Sequence, residues 1–180
     1  MKQKTRWLCS DPGETAGWSI WSNEGKLLGG GQTDLWQFAH DFEDAVVHNI
    51  GPLAEGETDL LRAGVTAEDN VGPFSLIIIE KFALYPWKAK ELAFNEFRTV
   101  QLIGALTYIA TRNSIEVEKQ AAKIKERAMA GGAGELFVRP LHENRHQNDS
   151  IMHGFFYQQV TVLGNQLLLP VKDTEDDDER

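Results

Sequence analysis

Cysteine is nearly absent from this sequence of 180 residues, and long apolar runs are absent altogether. The single cysteine, Cys9, has no partner for an internal disulfide, which is compatible with a reducing cytoplasm. No stretch approaches the roughly 18 consecutive apolar residues of a membrane span. The basic N-terminus leads into an apolar run that Asp11 interrupts, so we expect no signal peptide. These absences predict a cytoplasmic protein that does not contact a membrane.

Positive charge is also scarce, since the chain has 27 acidic and 18 basic residues and a net charge of −9. Six of the acidic residues and one basic residue lie in residues 173–180, which leaves 21 acidic and 17 basic residues, a net charge of −4, on residues 1–172. We expect residues 173–180 to be a disordered acidic tail and residues 1–172 to form a single domain. Any DNA contact must therefore use a local basic patch.

The chain does contain a regular succession of strand and helix signals. A short Asn/Gly turn at residues 23–25 indicates an antiparallel hairpin, and the run of apolar residues at 76–79 is typical of a central strand buried on both faces. Helical spacing follows Asp34, which we expect to cap a helix. The predicted strands are residues 6–11, 16–22, 26–33, 76–80 and 114–118, and the predicted helices are residues 35–50, 91–112, 121–130 and 144–156. This order predicts a mixed sheet with helices on both faces, and residues 51–73 are expected to be mainly loop.

Two acidic residues stand at the ends of buried strands. Asp11 precedes a Pro-Gly turn, and Glu80 ends the most apolar strand of the chain. If the two strands are parallel neighbours, both carboxylates emerge at the C-terminal edge of the sheet, where open α/β sheets bind ligands. His146 and Asp149, three residues apart, share one helix face and add an imidazole and a carboxylate. Carboxylates that lie close together raise each other's pKa values, and a divalent cation removes that penalty, so this set predicts a Mg²⁺ or Mn²⁺ site.

Each of these four residues also has a plain structural interpretation. Asp-Pro-Gly is a common turn, and Glu80 is equally compatible with the solvated end of a strand. His146 and Asp149 are also compatible with surface positions near a helix start. The combination favours the metal site because the order and spacing of all four residues fit one arrangement. In that arrangement two ions about 4 Å apart clamp the attacking and leaving oxygens of a phosphodiester.

Basic residues form two candidate DNA contacts. The first alternates with aromatic residues directly after Glu80 and consists of Lys81, Phe82, Tyr85, Trp87, Lys88 and Lys90. Such aromatics stack on unpaired bases while the lysines meet phosphates, although a loop whose aromatics belong to the core explains them equally well. The second cluster surrounds a helix start and consists of Lys119, Lys123, Lys125 and Arg127. A solvated helix face is the plain alternative, but the cluster stands out in an acidic chain.

Five segments resemble, in order, the motifs of the RuvC-type Holliday-junction resolvases. Residues 10–18 resemble the first-strand motif, in which Asp-Pro-Gly is followed by a glycine and an aromatic residue. Residues 77–82 resemble the strand that carries the second catalytic acid, and residues 96–105 the helix after it, where a glycine packs near the site. Residues 118–123 resemble the segment that ends in a DNA-facing lysine. Residues 145–150 resemble the last helix motif, where Asp or His precedes an Asp by three residues.

The resemblance covers residues 5–157 and has three departures. Ser150 stands where the family usually has alanine, and the family's proline before the basic helix is missing. The insertion at residues 51–73 is longer than expected. These departures bear on the choice of substrate more than on the metal chemistry.

The resemblance implies a ribonuclease H-like fold, with a five-stranded mixed sheet in the order 3-2-1-4-5 and helices on both faces. It implies that Asp11, Glu80, His146 and Asp149 bind two Mg²⁺ or Mn²⁺ ions, with His146 either a ligand or a proton-transfer group. The implied activity is that of a crossover junction endodeoxyribonuclease that cuts branched DNA and leaves a 5′-phosphate and a 3′-hydroxyl. It also implies a homodimer, and the divergence suggests a bacteriophage member. We expect the helix at residues 91–112 to form the dimer contact because its apolar residues exceed one narrow stripe, although burial against the sheet explains them equally well.

Three other functions remain open at this stage. The same nuclease core is compatible with forks, flaps or RNA as substrates, because the surrounding loops choose the substrate. A non-catalytic DNA-binding module with the same fold is a second alternative, disfavoured by the presence of all four site residues. An actin-like kinase or ATPase needs two domains, for which 180 residues leave no room.

Overall fold

The structure is a computed structural model that describes residues 5–13, 15–48, 72–82, 94–137 and 143–165. The strands in these ranges are β1 (Arg6–Asp11), β2 (Thr15–Ser22), β3 (Leu27–Asp34), β4 (Phe74–Glu80) and β5 (Glu116–Gln120). The α-helices are α1 (Leu35–His48), α2 (Phe94–Arg112), α3 (Ile124–Ala130) and α4 (Arg145–Tyr157). Within the same ranges, no helix has the length and apolar character to cross a membrane. Residues 51–71 of the predicted loop at residues 51–73, and the predicted acidic tail at residues 173–180, lie outside the described residues.

The five strands form one mixed sheet in the order β3-β2-β1-β4-β5, which confirms the predicted order. β1, β2 and β3 are antiparallel neighbours, as expected for consecutive strands joined by short turns. β4 pairs with β1 in parallel, and β5 pairs with β4 in parallel. The C-terminal ends of β1, β4 and β5 therefore meet at one edge of the sheet.

β4 is buried on both faces, as its apolar run predicted. Ile77 and Ile79 contribute to the core on one face of the sheet, and Leu76 and Ile78 contribute to the core on the other. This alternation follows from the two-residue period of a strand. Glu80 follows the last isoleucine of this strand, so the buried strand fixes the position of Glu80 relative to the end of β1.

The first face of the sheet is covered by α1 and α2. Asp34 caps α1 as predicted, because its Oδ1 accepts hydrogen bonds from the backbone N–H groups of Trp36 (2.9 Å) and Gln37 (3.3 Å). The core between these helices and the sheet is mainly apolar, and the buried guanidinium of Arg6 packs over the ring of Phe74 in it. Its largest members are Trp18, Ile20, Leu28, Phe38, Phe42, Phe74, Leu102 and Leu106.

The second face is covered by α3 and α4, and α4 lies unusually close to the strands. A Cβ atom on Gly154 of α4 would overlap the indole ring of Trp21, and a Cβ atom on Gly17 of β2 would overlap the main-chain carbonyl of His146. Glycine at these two positions therefore permits a helix to approach the sheet at backbone distance. The approach buries α4 from Gln147 to Phe156, including the polar residues in that stretch.

The prediction that β5 covers residues 114–118 is wrong by two residues. α2 ends by turning back on itself, since Ser114 adopts a left-handed conformation (φ 57°) and the N–H of Ile115 donates to the carbonyl of Ala110. The strand consequently begins at Glu116 and ends at Gln120. α3 also begins later than predicted, at Ile124 instead of residue 121. The shift of β5 places Gln120 beside Glu80 in the sheet.

Candidate active site

β1 and β4 end side by side, and each ends in a carboxylate. Their register pairs Ser10 with Ile79, so Asp11 and Glu80 occupy the next position on each strand. The residues two positions earlier on each strand belong to the core beneath α3 and α4, so both carboxylates lie on that face. The structure thus has the two carboxylates at the same C-terminal edge, as the sequence predicted.

The first turns of α4 lie over this edge and add His146 and Asp149. His146 Nδ1 lies 2.7 Å from Asp11 Oδ2. Gly17, the glycine of the first-strand motif, is paired with Asp11 in the sheet and lies against the backbone of His146. The motif glycine therefore allows α4 to come close enough for His146 to reach Asp11.

Lys125 of α3 connects the remaining two carboxylates. Its Nζ lies 2.9 Å from Glu80 Oε2 and 2.8 Å from Asp149 Oδ2. The side chain is only 21% exposed, and its ammonium group forms ion pairs with both carboxylates. The sequence had suggested a DNA contact for this lysine. We call Asp11, Glu80 and Asp149 the acidic edge.

The pair formed by Asp11 and His146 holds a proton more tightly than either group does in water. Burial raises the pKa of Asp11, and the negative charges of Glu80 and Asp149 raise it further, against the hydrogen bond to His146. The hydrogen bond to Asp11 in turn raises the pKa of His146, against the effect of burial. The pKa of Asp11 thus shows the effect that the sequence predicted for closely spaced carboxylates.

Glu80 is in the opposite electrostatic situation. Burial alone would raise its pKa, but hydrogen bonds from His153 and Lys125, together with positive charge, lower it to about 2. Burial also disfavours the charged form of Lys125, but its hydrogen bonds to Asp149 and Glu80 outweigh this and raise the pKa of Lys125. Glu80 is therefore ionised, and Lys125 is the cation that compensates it.

Two residues that the sequence analysis did not assign to the site, His153 and Gln120, lie directly behind Glu80. His153 Nε2 lies 2.9 Å from Glu80 Oε2, and His153 Nδ1 lies 2.9 Å from Gln120 Oε1. The helical spacing that links His146 and Asp149 continues to His153, seven residues after His146. The sequence therefore carried enough information to predict that His153 lies on the same face of α4. The position of Gln120 beside Glu80 could not be predicted in this way, because it depends on the register of β5.

The predicted DNA-binding residues are dispersed in the structure. Lys81 is exposed immediately after β4, and Lys123 is exposed immediately before α3. Lys119 is exposed on β5, but its register partner Ile79 belongs to the core beneath α1 and α2, so strand alternation places Lys119 on the face away from the acidic edge. Phe82 is half-buried. Tyr85, Trp87, Lys88 and Lys90 lie outside the described residues.

The donor chemistry of the acidic edge fits a divalent cation, although the present arrangement is not that of a finished metal site. Each carboxylate uses one oxygen for His146 or Lys125, and within the described ranges no hydrogen bond reaches the other oxygen. Three carboxylates and an imidazole suit Mg²⁺ or Mn²⁺. In the described part of the chain, however, no three His, Cys, Asp or Glu side chains are grouped as they would be around an ion. Lys125 supplies the positive charge instead.

No family model matches this chain, and no curated protein sequence matches it. Solved structures do match. A structure described as RuvC of T. thermophilus in complex with a Holliday junction substrate is 14% identical, with a TM-score of 0.55 over 89% of this chain and 97% of that chain. A second structure of Thermus thermophilus RuvC is 17% identical, with a TM-score of 0.53 over the same shares. At these identities the likeness shows the fold, which is the ribonuclease H-like fold of RuvC.

Proposed function

We propose that this protein is a metal-dependent endonuclease that resolves four-way DNA junctions. The observation that carries the proposal is the convergence of Asp11, Glu80 and Asp149, from two parallel strands and a helix, at one edge of a RuvC-like sheet. This edge is where open α/β folds bind their ligands. Three carboxylates gathered on a mostly buried surface repel one another, and bound divalent cations would remove that repulsion.

Asp11, Glu80 and Asp149 would hold two Mg²⁺ or Mn²⁺ ions through their oxygens, with His146 beside them. Bound there, the ions would activate water and stabilise the charge that develops on the phosphodiester. The chain's own contribution is positional. His146 orients Asp11, and it is 37% exposed at its side chain, so it can also exchange a proton with a bound substrate.

Four-way junctions are the proposed substrate because one of the matching RuvC structures is described with a Holliday junction. Symmetric cutting of a junction requires two sites related by a two-fold axis, so we propose a homodimer. α2 carries two exposed apolar residues that suit this contact. Val100 is 49% exposed and Tyr108 is 65% exposed, two helical turns apart on the same side. The exposed Lys81 and Lys123 lie next in sequence to the site and are the proposed phosphate contacts.

The decisive experiment is cleavage of a labelled synthetic four-way junction, with fork, flap, linear duplex and RNA substrates alongside. Each is tested with Mg²⁺, Mn²⁺ or EDTA, for the wild type and Asp11→Asn. We expect paired symmetric nicks in the junction that require the metal and fall by at least about 10³-fold in Asp11→Asn. Metal-dependent cutting of fork, flap or RNA with the junction spared would retain the site and overturn the substrate.

A non-catalytic DNA-binding module is the second candidate, and the bridging position of Lys125 is the observation that favours it. A lysine that neutralises two carboxylates stabilises a metal-free protein. That function predicts binding of the junction without cleavage in either Mg²⁺ or Mn²⁺. The same cleavage assay, with a gel-shift measurement on the uncut junction, distinguishes the two candidates.

A further inference from the structure

His153 is a fully buried polar side chain close to the acidic edge, and the proposed metal chemistry does not use it. It is 0% exposed and lies one helical turn beyond Asp149 on α4. Both ring nitrogens are nevertheless engaged, Nε2 with Glu80 Oε2 and Nδ1 with Gln120 Oε1, each at 2.9 Å. These partners satisfy both nitrogens of the buried ring, and one of them is a carboxylate of the acidic edge.

The hydrogen bond that Gln120 makes with Glu118 determines which nitrogen of the His153 ring donates to Gln120. Gln120 Nε2 donates to Glu118 Oε1 at 2.8 Å. Because a carboxylate only accepts, the amide nitrogen of Gln120 faces Glu118 and its oxygen faces His153. Nδ1 of His153 therefore donates to Gln120, and Nε2 is left facing Glu80. Glu80 Oε2 also only accepts, so the contact with Glu80 requires a proton on Nε2 in addition to the proton on Nδ1.

The sheet register explains why these partners are available. Asp11, Glu80 and Gln120 occupy equivalent positions on the neighbouring strands β1, β4 and β5, and Glu118 lies two residues before Gln120 on the same face. On β1 and β4 this position carries a carboxylate, whereas on β5 it carries an amide. The amide accepts a hydrogen bond from His153 without adding a further negative charge to the acidic edge.

We propose that His153, held by Gln120 and Glu118, is a positioning residue that fixes the Glu80 carboxylate for metal binding. Within the described residues, both hydrogen bonds to Glu80, from His153 and from Lys125, reach Oε2. Oε1 is thereby left for a metal ion or its water. Metal-binding carboxylates and imidazoles depend on such outer hydrogen bonds, whose loss weakens metal affinity by about 10- to 100-fold. The inference rests on the proposed function, since it assumes that Glu80 is a metal ligand.

The test is calorimetric titration of the full chain with Mn²⁺ in the absence of DNA, so that the readout does not depend on cleavage. We compare the wild type with His153→Leu, His153→Gln and Gln120→Met, and with His40→Gln as a control that removes an exposed histidine from α1. We expect His153→Leu to bind Mn²⁺ about 10- to 100-fold more weakly. Gln120→Met should weaken binding less, and His153→Gln should recover part of the loss because its amide offers Glu80 a donor.

A folded His153→Leu protein with wild-type Mn²⁺ affinity overturns the inference. If that variant does not fold, Gln120→Met decides, because it leaves the contact between His153 and Glu80 in place: weaker binding supports the inference and unchanged binding overturns it. Failure of the proposed function is visible separately in the wild type. A wild type that takes up no Mn²⁺, or an Asp11→Asn variant with undiminished affinity, overturns the metal site itself and this inference with it.

Discussion

Both faces of the sheet carry an apolar core, but the face beneath α3 and α4 also buries a longer polar segment. Beneath α1 and α2 the core is mainly apolar, and its contribution to stability scales with the area removed from water. On the other face, α4 buries a polar segment that consists of Gln147, Asn148, Asp149, Ser150 and His153. Buried polar groups stabilise a fold only when they are hydrogen-bonded. The partner of Asp149 is Lys125, and the partners of His153 are the residues that end β4 and β5. The hydrogen bonds that hold α4 on this face are therefore the contacts that form the candidate site.

The largest effect on stability is expected on the apolar face. Phe42 is fully buried and packs edge-to-face on Phe74, with ring centroids 5.9 Å apart. Phe42→Ala should lower the free energy of unfolding by about 3–5 kcal/mol. Urea unfolding followed by the fluorescence of the buried tryptophans measures this loss. Cleavage per folded molecule should stay at the wild-type level, and a folded variant without activity would show that the two faces are not separable.

Gly17→Ala should disturb the packing of α4 on the sheet, on the face that carries the acidic edge, with a smaller loss of stability than Phe42→Ala. The added methyl group meets the main chain of His146, which cannot rotate away, so α4 must shift from the sheet. We expect a loss of about 1–3 kcal/mol in unfolding free energy. A displacement of about 1 Å at the site should reduce cleavage at least 100-fold.

Gly134→Ala is the matched control for this substitution. A methyl group there meets only the flexible Met129 side chain, at an ordinary contact distance of 3.5 Å. Stability and cleavage should both remain near the wild-type values. If Gly17→Ala were equally silent, α4 would not depend on the close approach that the structure shows.

The faces also differ in how much of them the sequence could predict. The apolar face follows from local patterns, because the isoleucines of β4 and the helical spacing after Asp34 each carry their own signal. Asp11 and Glu80 were predictable because they end strands with clear boundaries. The bridging position of Lys125 was not, because it depends on how α3 packs beside α4. The partner of His153 depends on a two-residue shift of β5, and strand boundaries are where sequence patterns are weakest.

Glu80→Gln tests whether the stability of the face that carries the acidic edge depends on pH. The pKa of Glu80 is lowered to about 2 from its usual value of 4.5, so its contribution to stability is fully present above the unfolded-state pKa and is lost as the pH falls toward the folded-state pKa. In EDTA the variant should be less stable than the wild type by about 2 kcal/mol at neutral pH. By about pH 3 more than half of that difference should have disappeared.

Urea unfolding at both pH values measures the difference, with Glu126→Gln on the exposed side of α3 as the control. The control should change little at either pH. A Glu80→Gln variant whose stability difference did not depend on pH would mean that the hydrogen bonds from Lys125 and His153 do not favour the charged carboxylate.

Lys125→Met should produce the smallest change in free energy and separates the two candidate functions. Without the ammonium group, Glu80 and Asp149 repel each other, so the metal-free melting temperature should fall. Mn²⁺ would no longer compete with an internal cation, so its affinity should rise by about tenfold, which is about 1.4 kcal/mol, and the metal should restore the melting temperature. Lys123→Met, two residues away and exposed, is the control. If Lys125→Met lost stability without gaining metal affinity, Lys125 would be a permanent structural cation, and the polar face would be built to remain metal-free.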